Sequence, residues 1–188
     1  MEPGHVELVD PPQPLLGKTI AYEPCGMEGQ EFPCVEQVVG GVKGIQSQWK
    51  KLTEETLTGP EISEKYLQGN PLASQIYDNS ATNLATGIIG MGEALGLVGE
   101  NAKTGVIVPV IGGGNGGAGY VTETPPGKEP MVTIAFHGGV FNVPGYQERV
   151  KQILEANNVT ADYLSTGDLS LNAGAEGAAI AALMATAA

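Results

Sequence analysis

The residue best suited to proton transfer in this chain is His137, which stands directly before the pair Gly138-Gly139. Histidine titrates near neutral pH, so its imidazole can accept or donate a proton during a reaction. His137 follows the apolar run 131–136, and open α/β sheets bind ligands beyond the carboxyl ends of such strands. The sequence therefore favours His137 as a general acid or base. The alternative is a hydrogen-bonded structural histidine.

A glycine-saturated stretch is the second feature with chemical potential. It follows an apolar run at residues 106–111 and has almost no side chains that could stabilise a fold by packing. Ordering glycine costs more backbone entropy than ordering any other residue. A domain that contains such a stretch is therefore expected to need its backbone close to a ligand, a neighbouring strand or another subunit. Its successive N–H groups can form a nest for phosphate or carboxylate. The candidate ligand-binding residues are Gly112, Gly113, Gly114, Asn115, Gly116 and Gly117.

These glycines match the G-x-G-x-x-G spacing of a dinucleotide-binding loop but not its context. Such a loop opens a helix whose N-terminus holds the pyrophosphate. Here residues 120–126 are poor helix formers and end in two prolines. A Walker P-loop is excluded because no Lys-Ser or Lys-Thr pair follows the glycines. Two interpretations remain open: an anion-binding flap or nest, and a tight strand connection or intersubunit contact.

The three residues His137-Gly138-Gly139 resemble the His-Gly-Gly oxyanion element of α/β-hydrolases. That class requires a G-x-S-x-G nucleophile elbow, which the chain lacks. A hydrolase is therefore not indicated. Gly138 and Gly139 remain candidates for ligand binding because they follow a strand.

Two acidic residues, Glu123 and Asp168, complete the candidate ligand-binding set. Glu123 comes just after the glycine stretch, and Asp168 lies in a loop before the last predicted helix. The alternative for each is a solvated loop acid. We expect no metal site, since Cys25 and Cys34 are spaced unlike zinc ligands and no EF-hand or H-E-x-x-H pattern occurs. No particular cofactor is indicated, and the role of the two cysteines stays open.

The charge of the chain restricts its partners. With 9 basic and 21 acidic residues, the net charge is −12, which argues against binding to nucleic acid or anionic membranes. No apolar run approaches the roughly 20 residues of a membrane span, and the acidic N-terminus is unlike a secretory signal. We expect a cytoplasmic protein whose ligand is a small anionic molecule.

The elements that position these residues alternate between strands and helices. Residues 1–16 contain four prolines and read as an extended arm. Residues 17–188 are predicted to form a single α/β domain: a mixed or mostly parallel sheet flanked by helices, with a glycine-rich strand connection. The predicted strands are 17–22, 104–111, 120–124, 131–136 and 161–164, and the predicted helices are 33–51, 58–68, 80–97, one beginning near 146 and stopped at 157–158, and 172–185.

Two features indicate how the core and the surface are built. Only 5% of residues are aromatic, which predicts a core of Val, Ile, Leu and Ala with close backbone contacts rather than large rings. The last helix is Ala-rich, and no charged residue follows Glu176. Such a helix should be buried in its own domain or between subunits, so we expect a homo-oligomer.

Two functions follow from these patterns. The first is an enzyme, or an enzyme subunit, acting on a small anionic metabolite, with the anion held by the glycine-rich loop and a proton transferred by His137. The second is a non-catalytic oligomeric structural or accessory protein, in which the glycine-rich and Ala-rich segments serve subunit packing.

Overall fold

The computed structural model describes residues 41–99, 102–108, 118–121, 124, 129, 131–136 and 138–165. Within these ranges helices come first along the chain, and strands and one further helix follow. The elements are a π-helical turn (Gly41–Gln46), α1 (Ser47–Thr53), α2 (Gly59–Leu67), α3 (Pro71–Ala94), β1 (Gly105–Val108), β2 (Ala118–Val121), β3 (Val132–Phe136), a 3₁₀ turn (Gly139–Asn142), α4 (Tyr146–Ala156) and β4 (Ala161–Ser165).

The four strands form one mixed sheet in the order β2-β1-β3-β4. Strands β1, β3 and β4 run parallel, and β2 pairs antiparallel with β1 at one edge. Because Val108 pairs with Ala118, residues 109–117 connect two adjacent antiparallel strands. The predicted α/β class, mixed sheet and glycine-rich strand connection are confirmed. The conformation of Gly112 to Gly117 lies outside the described residues.

Helices α3 and α4 cover one face of the sheet. Ile107 and Ile134 are neighbours on that face and have no exposed surface. A Cβ built on Gly92 of α3 would lie 3.5 Å from the Cδ1 of Ile107, which shows how closely helix and strand approach. Val150 and Leu154 of α4 are also fully buried. Since strand residues alternate between faces, this packing fixes which residues of β1 and β3 are internal.

Helix α3 begins nine residues before the predicted start at Ser80, so that predicted boundary was wrong. The Asn70 side chain accepts hydrogen bonds from the backbone N–H groups of Leu72 and Ala73, at 3.0 and 3.1 Å. Pro71 takes the first helical position, where its missing N–H costs nothing. Residues 69–71 therefore follow the end of α2 and cap the next helix.

Other predicted elements agree better with the structure. Helix α2 lies within the predicted range 58–68, and the Glu61 carboxylate accepts from the Thr58 N–H at 2.8 Å. Strands β3 and β4 and helix α4 lie within a residue of their predicted positions. The helix predicted over 33–51 has, in its described part, a π-helical turn before α1. The described strand at 118–121 lies earlier than the predicted 120–124.

The expected core of Val, Ile, Leu and Ala is confirmed in part, since these residues make up most of the described core, but the expectation that large rings would be absent was wrong. Trp49, Tyr77, Phe136, Phe141 and Tyr146 all belong to the buried core. Adjacent rings are spaced 4.8 to 6.0 Å between centroids, in a continuous series along Tyr163, Phe136, Phe141, Tyr146, Tyr77 and Tyr66. These six rings connect the sheet to the helices.

Several predictions lie outside the described residues. These are the N-terminal arm (1–16) and the Ala-rich helix at 172–185, which remain predictions, and Cys25 and Cys34 also lie outside the described residues. None of the helices that the structure describes is long and apolar enough to cross a membrane. Within the same ranges, no three His, Cys, Asp or Glu side chains are grouped as metal ligands would be.

Two glycines of α3 should respond in opposite ways to alanine substitution. A Cβ on Gly92 would lie 2.6 Å from the Cγ2 of Val98, so Gly92→Ala should destabilise by about 1–3 kcal/mol. A Cβ on Gly90 would meet nothing within 4 Å, so Gly90→Ala should stabilise by about 0.5–1 kcal/mol through helix propensity. Urea unfolding of both variants measures the difference. Equal effects would contradict the described packing of α3.

The buried phenol of Tyr146 should make stability fall at alkaline pH. Its hydroxyl lies 2.7 Å from the Ser80 Oγ, and burial raises the pKa of Tyr146 far above its ordinary value of 10. Above pH 10 the unfolded chain loses this proton and the folded chain keeps it, so the unfolding free energy falls as pH rises.

The variant Tyr146→Phe should be less stable at pH 8 by about 1–2 kcal/mol, because it loses the bond to Ser80. Above pH 10, however, its stability should fall less steeply, by about 1.4 kcal/mol per pH unit. Urea unfolding at pH 8, 10 and 11 measures both effects, and Ser80→Ala, which keeps the phenol, is the control. Parallel pH curves for Tyr146→Phe and the wild type would contradict the proton linkage.

Candidate functional site

The three parallel strands end at one edge of the sheet, and each leads into a segment singled out from the sequence. β1 ends at Val108 before the glycine stretch, β3 ends at Phe136 before His137, and β4 ends at Ser165 three residues before Asp168. Phe136 and Ser165 are directly paired. Gly138 and Gly139 are described, whereas His137, Asp168 and Gly112 to Gly117 lie outside the described residues. The topology thus brings together the strand ends from which these candidates continue.

The chain turns sharply directly after β3. Gly138 has φ 128° and ψ 160°, a backbone conformation that is essentially restricted to glycine. The 3₁₀ turn follows, and the Phe141 N–H donates to the Gly138 carbonyl at 3.1 Å. We call residues 138–142 the Gly138 turn. Conformations of this kind occur often at ligand sites, where the backbone must approach a bound group closely.

Gly139 lies at the exposed start of this turn. A Cβ built on it would meet nothing within 4 Å, so the space beside its backbone is open. The first N–H groups of any helical turn lack acceptors within the turn itself. An open position with backbone N–H donors can accept an anion without displacing protein atoms.

Aromatic packing holds the inner side of the Gly138 turn. The Phe141 ring is 4% exposed and lies 4.8 Å from the Phe136 ring and 5.8 Å from the Tyr146 ring, centroid to centroid. Phe136 belongs to β3 and Tyr146 to α4, so the turn is anchored to both of its neighbours. Its outer residues, Gly139 and Asn142, remain exposed.

A side chain that the sequence did not reveal connects the turn to β4. The Gln147 Nε2 donates to the Phe141 carbonyl at 2.9 Å and to the Ser165 Oγ at 3.1 Å. Gln147 lies in the first turn of α4, and Ser165 ends β4. No local pattern could have indicated the contact with Ser165, because the two residues are 18 positions apart.

The two basic side chains of α4 each contact another side chain of the protein. Arg149 Nε lies 2.8 Å from the Asp78 carboxylate on α3, in an exposed ion pair. Lys151 Nζ lies 5.1 Å from the centre of the Tyr163 ring. Burial, followed by the nearby Glu155 carboxylate, raises the pKa of Tyr163.

The described residues nearest to Glu123, Val121 and Thr124, lie at the ends of the strands opposite to the Gly138 turn. Val121 pairs with Gly105 at the amino end of β1. The Thr124 Oγ1 lies 2.9 Å from the Oγ1 of Thr104, just before the same strand. Glu123 itself is outside the described residues, and its role as a ligand-binding residue stays a prediction.

Comparison with known proteins gives a likeness of fold only. No protein-family model matches the chain, and no curated protein matches it. Among solved structures, it resembles the ROK hexokinase from Thermus thermophilus, with a TM-score of 0.57 and 17% identity over 92% of this chain and 44% of that one. A second match is a ROK family protein from Streptococcus pneumoniae TIGR4 in complex with sucrose, with a TM-score of 0.47 and 13% identity over 80% of this chain and 43% of that one.

The chain thus spans less than half the length of the solved structures it matches. At 17% identity, the likeness to the Thermus thermophilus hexokinase shows that the two proteins share an α/β fold.

Proposed function

We propose that the chain is part of an enzyme acting on a small anionic metabolite, and that the anionic group binds at the Gly138 turn. The observation that carries the proposal is the glycine-restricted conformation of Gly138 at the carboxyl end of the buried strand β3. Such a conformation is costly to keep, and function is a common reason for keeping it. Ligands of open α/β sheets bind at this edge.

The surroundings of the turn support an anion in particular. Gly139 leaves open space beside its backbone, and the start of the 3₁₀ turn provides N–H donors. The glycine stretch that follows β1 continues from the same edge and is proposed to contribute further N–H groups. The role of Glu123 as a ligand-binding residue stays a separate prediction, since the described residues nearest to it, Val121 and Thr124, lie at the opposite ends of the parallel strands.

The likeness to a hexokinase supports phosphate as the anion. A hexokinase transfers a phosphoryl group to a hexose, so its ligands carry phosphate and sugar hydroxyl groups. We propose the same ligand class here, with His137 as the acid or base that moves the proton of the reacting hydroxyl. His137 directly follows the last residue of β3 in the sequence, next to the Gly138 turn.

A negative charge placed on the turn should weaken phosphate binding. Gly139→Asp adds a carboxylate at the open position, and we expect about tenfold lower affinity for inorganic phosphate, because like charges at close range repel. Asn142→Asp is the matched control: it adds the same charge at the exposed far end of the turn and should change affinity less than threefold.

The measurement is a phosphate titration followed by NMR of the backbone amides of residues 138–142, with thermal unfolding as a check on folding. The wild type should show saturable shifts at Gly138 and Gly139. An absence of such shifts, or equal affinities for both variants, would count against the proposed site.

Removal of the His137 imidazole should reduce catalysis rather than anion binding. In an assay of phosphoryl transfer from ATP to a panel of sugars, we expect His137→Ala to lower kcat/KM by about 10²–10⁴-fold, as for loss of a general acid or base. Its phosphate affinity should stay within threefold of the wild type. The control is His5→Ala, which removes the other histidine. Unchanged turnover in His137→Ala would remove the proposed role.

A further inference from the structure

We infer that Gln147 is a positioning residue whose side-chain amide clamps the Gly138 turn to the end of β4. The clamp fixes the backbone N–H groups to which the proposed function assigns the anion. This consequence for binding rests on the proposed function, whereas the clamp itself can be measured in the ligand-free protein.

The chemistry of the two acceptors orients the amide. The Phe141 carbonyl can only accept a hydrogen bond, so the nitrogen of the Gln147 amide must face it. The same nitrogen lies 3.1 Å from the Ser165 Oγ, and its two hydrogens therefore serve two different elements. Both bonds are partly buried, where competition from water is reduced.

The Gly138 turn needs an external restraint. Its backbone bonds join Phe141 N–H to the Gly138 carbonyl and Val143 N–H to the Val140 carbonyl, at 3.1 Å each. Short 3₁₀ turns have poor hydrogen-bond geometry, and paired glycines cost extra backbone entropy to order. The Phe141 ring is packed between neighbouring rings, and Gln147 holds the carbonyl of the same residue. Side chain and backbone of Phe141 are thus fixed from two directions.

The clamp also couples two strand ends. Ser165 is the last residue of β4, and Thr166, Gly167 and Asp168 follow it in the sequence. One amide bonds to both Phe141 and Ser165. If the turn moves relative to the end of β4, at least one of these two hydrogen bonds must therefore break. A binding site assembled from both strand ends depends on such a coupling, since errors of about 1 Å in ligand contacts reduce binding and rate.

The test compares Gln147→Met with Gln152→Met. Methionine has a length similar to glutamine but donates no hydrogen bond, and Gln152 is an exposed glutamine of the same helix. In Gln147→Met we expect the Phe141 amide to exchange with solvent about tenfold faster relative to the amide of buried Leu84. Phosphate affinity should fall at least fivefold. In Gln152→Met both quantities should stay at wild-type values.

Ser165→Ala supplies an independent arm of the test. It removes the second acceptor, so by itself it should raise the exchange rate of the Phe141 amide. Added to Gln147→Met it should raise that rate little further, because the bond is already lost. Full additivity of the two substitutions in the Phe141 exchange rate would overturn the clamp.

The outcomes separate the clamp from the proposed function. Unchanged exchange at Phe141 in Gln147→Met overturns the inference whatever the phosphate result. Faster exchange with unchanged phosphate affinity also overturns it, because the amide then supports the fold alone. If the wild type binds no phosphate, the proposed function fails, and the exchange rates still decide whether Gln147 holds the turn.

Discussion

Burial of the central strand β3 beneath α3 and α4 is the constraint on which the rest of the described structure depends. β3 pairs with β1 on one side and β4 on the other, and its residues Ile134 and Phe136 have no exposed surface. Strand side chains alternate between faces, so a slip by one residue would turn both out of the core. The hydrophobic cost of such a slip fixes the register of β3. It thereby fixes the point at which the strand ends and the Gly138 turn begins.

The same burial connects stability to the geometry of the candidate site. The Phe136 ring packs against Phe141 of the turn, Phe141 packs against Tyr146, and the Tyr146 hydroxyl reaches Ser80 in the middle of α3. The rings that complete the core are therefore the rings that hold the turn. A loss of packing around Phe141 would move the backbone at the sheet edge as well as lower stability, because close-packed interiors transmit displacement.

Local signals were sufficient to predict much of this fold. The apolar run 131–136 predicted β3, and the helix predicted over 58–68 corresponds to α2. The predicted start of α3 at Ser80 was wrong because Asn70 and Pro71 form a strong helix start. The glycine pair after β3 was predicted as a site from its position alone. Gln147 was not predicted, because its role depends on Ser165, which only the tertiary structure brings close to it.

The order of the strands in the sheet was equally hidden in the sequence. The glycine stretch, His137 and Asp168 follow strands that run parallel, whereas Val121 ends a strand that runs the other way.

The negative charge of the protein bears on how the proposed site could bind an anion through its backbone N–H groups. A net charge of −12 opposes the approach of an anion at long range. Of the two basic side chains of α4, Arg149 pairs with Asp78 and Lys151 Nζ lies 5.1 Å from the centre of the Tyr163 ring. The proposed site relies on short-range N–H dipoles, whose strength falls steeply with distance and misalignment. A site of this kind binds only if its backbone is held in place before the ligand arrives.

Glycine at position 138 permits the required conformation, but it does not by itself favour that conformation over others. The Phe141 ring and the Gln147 amide supply the restraint that glycine lacks.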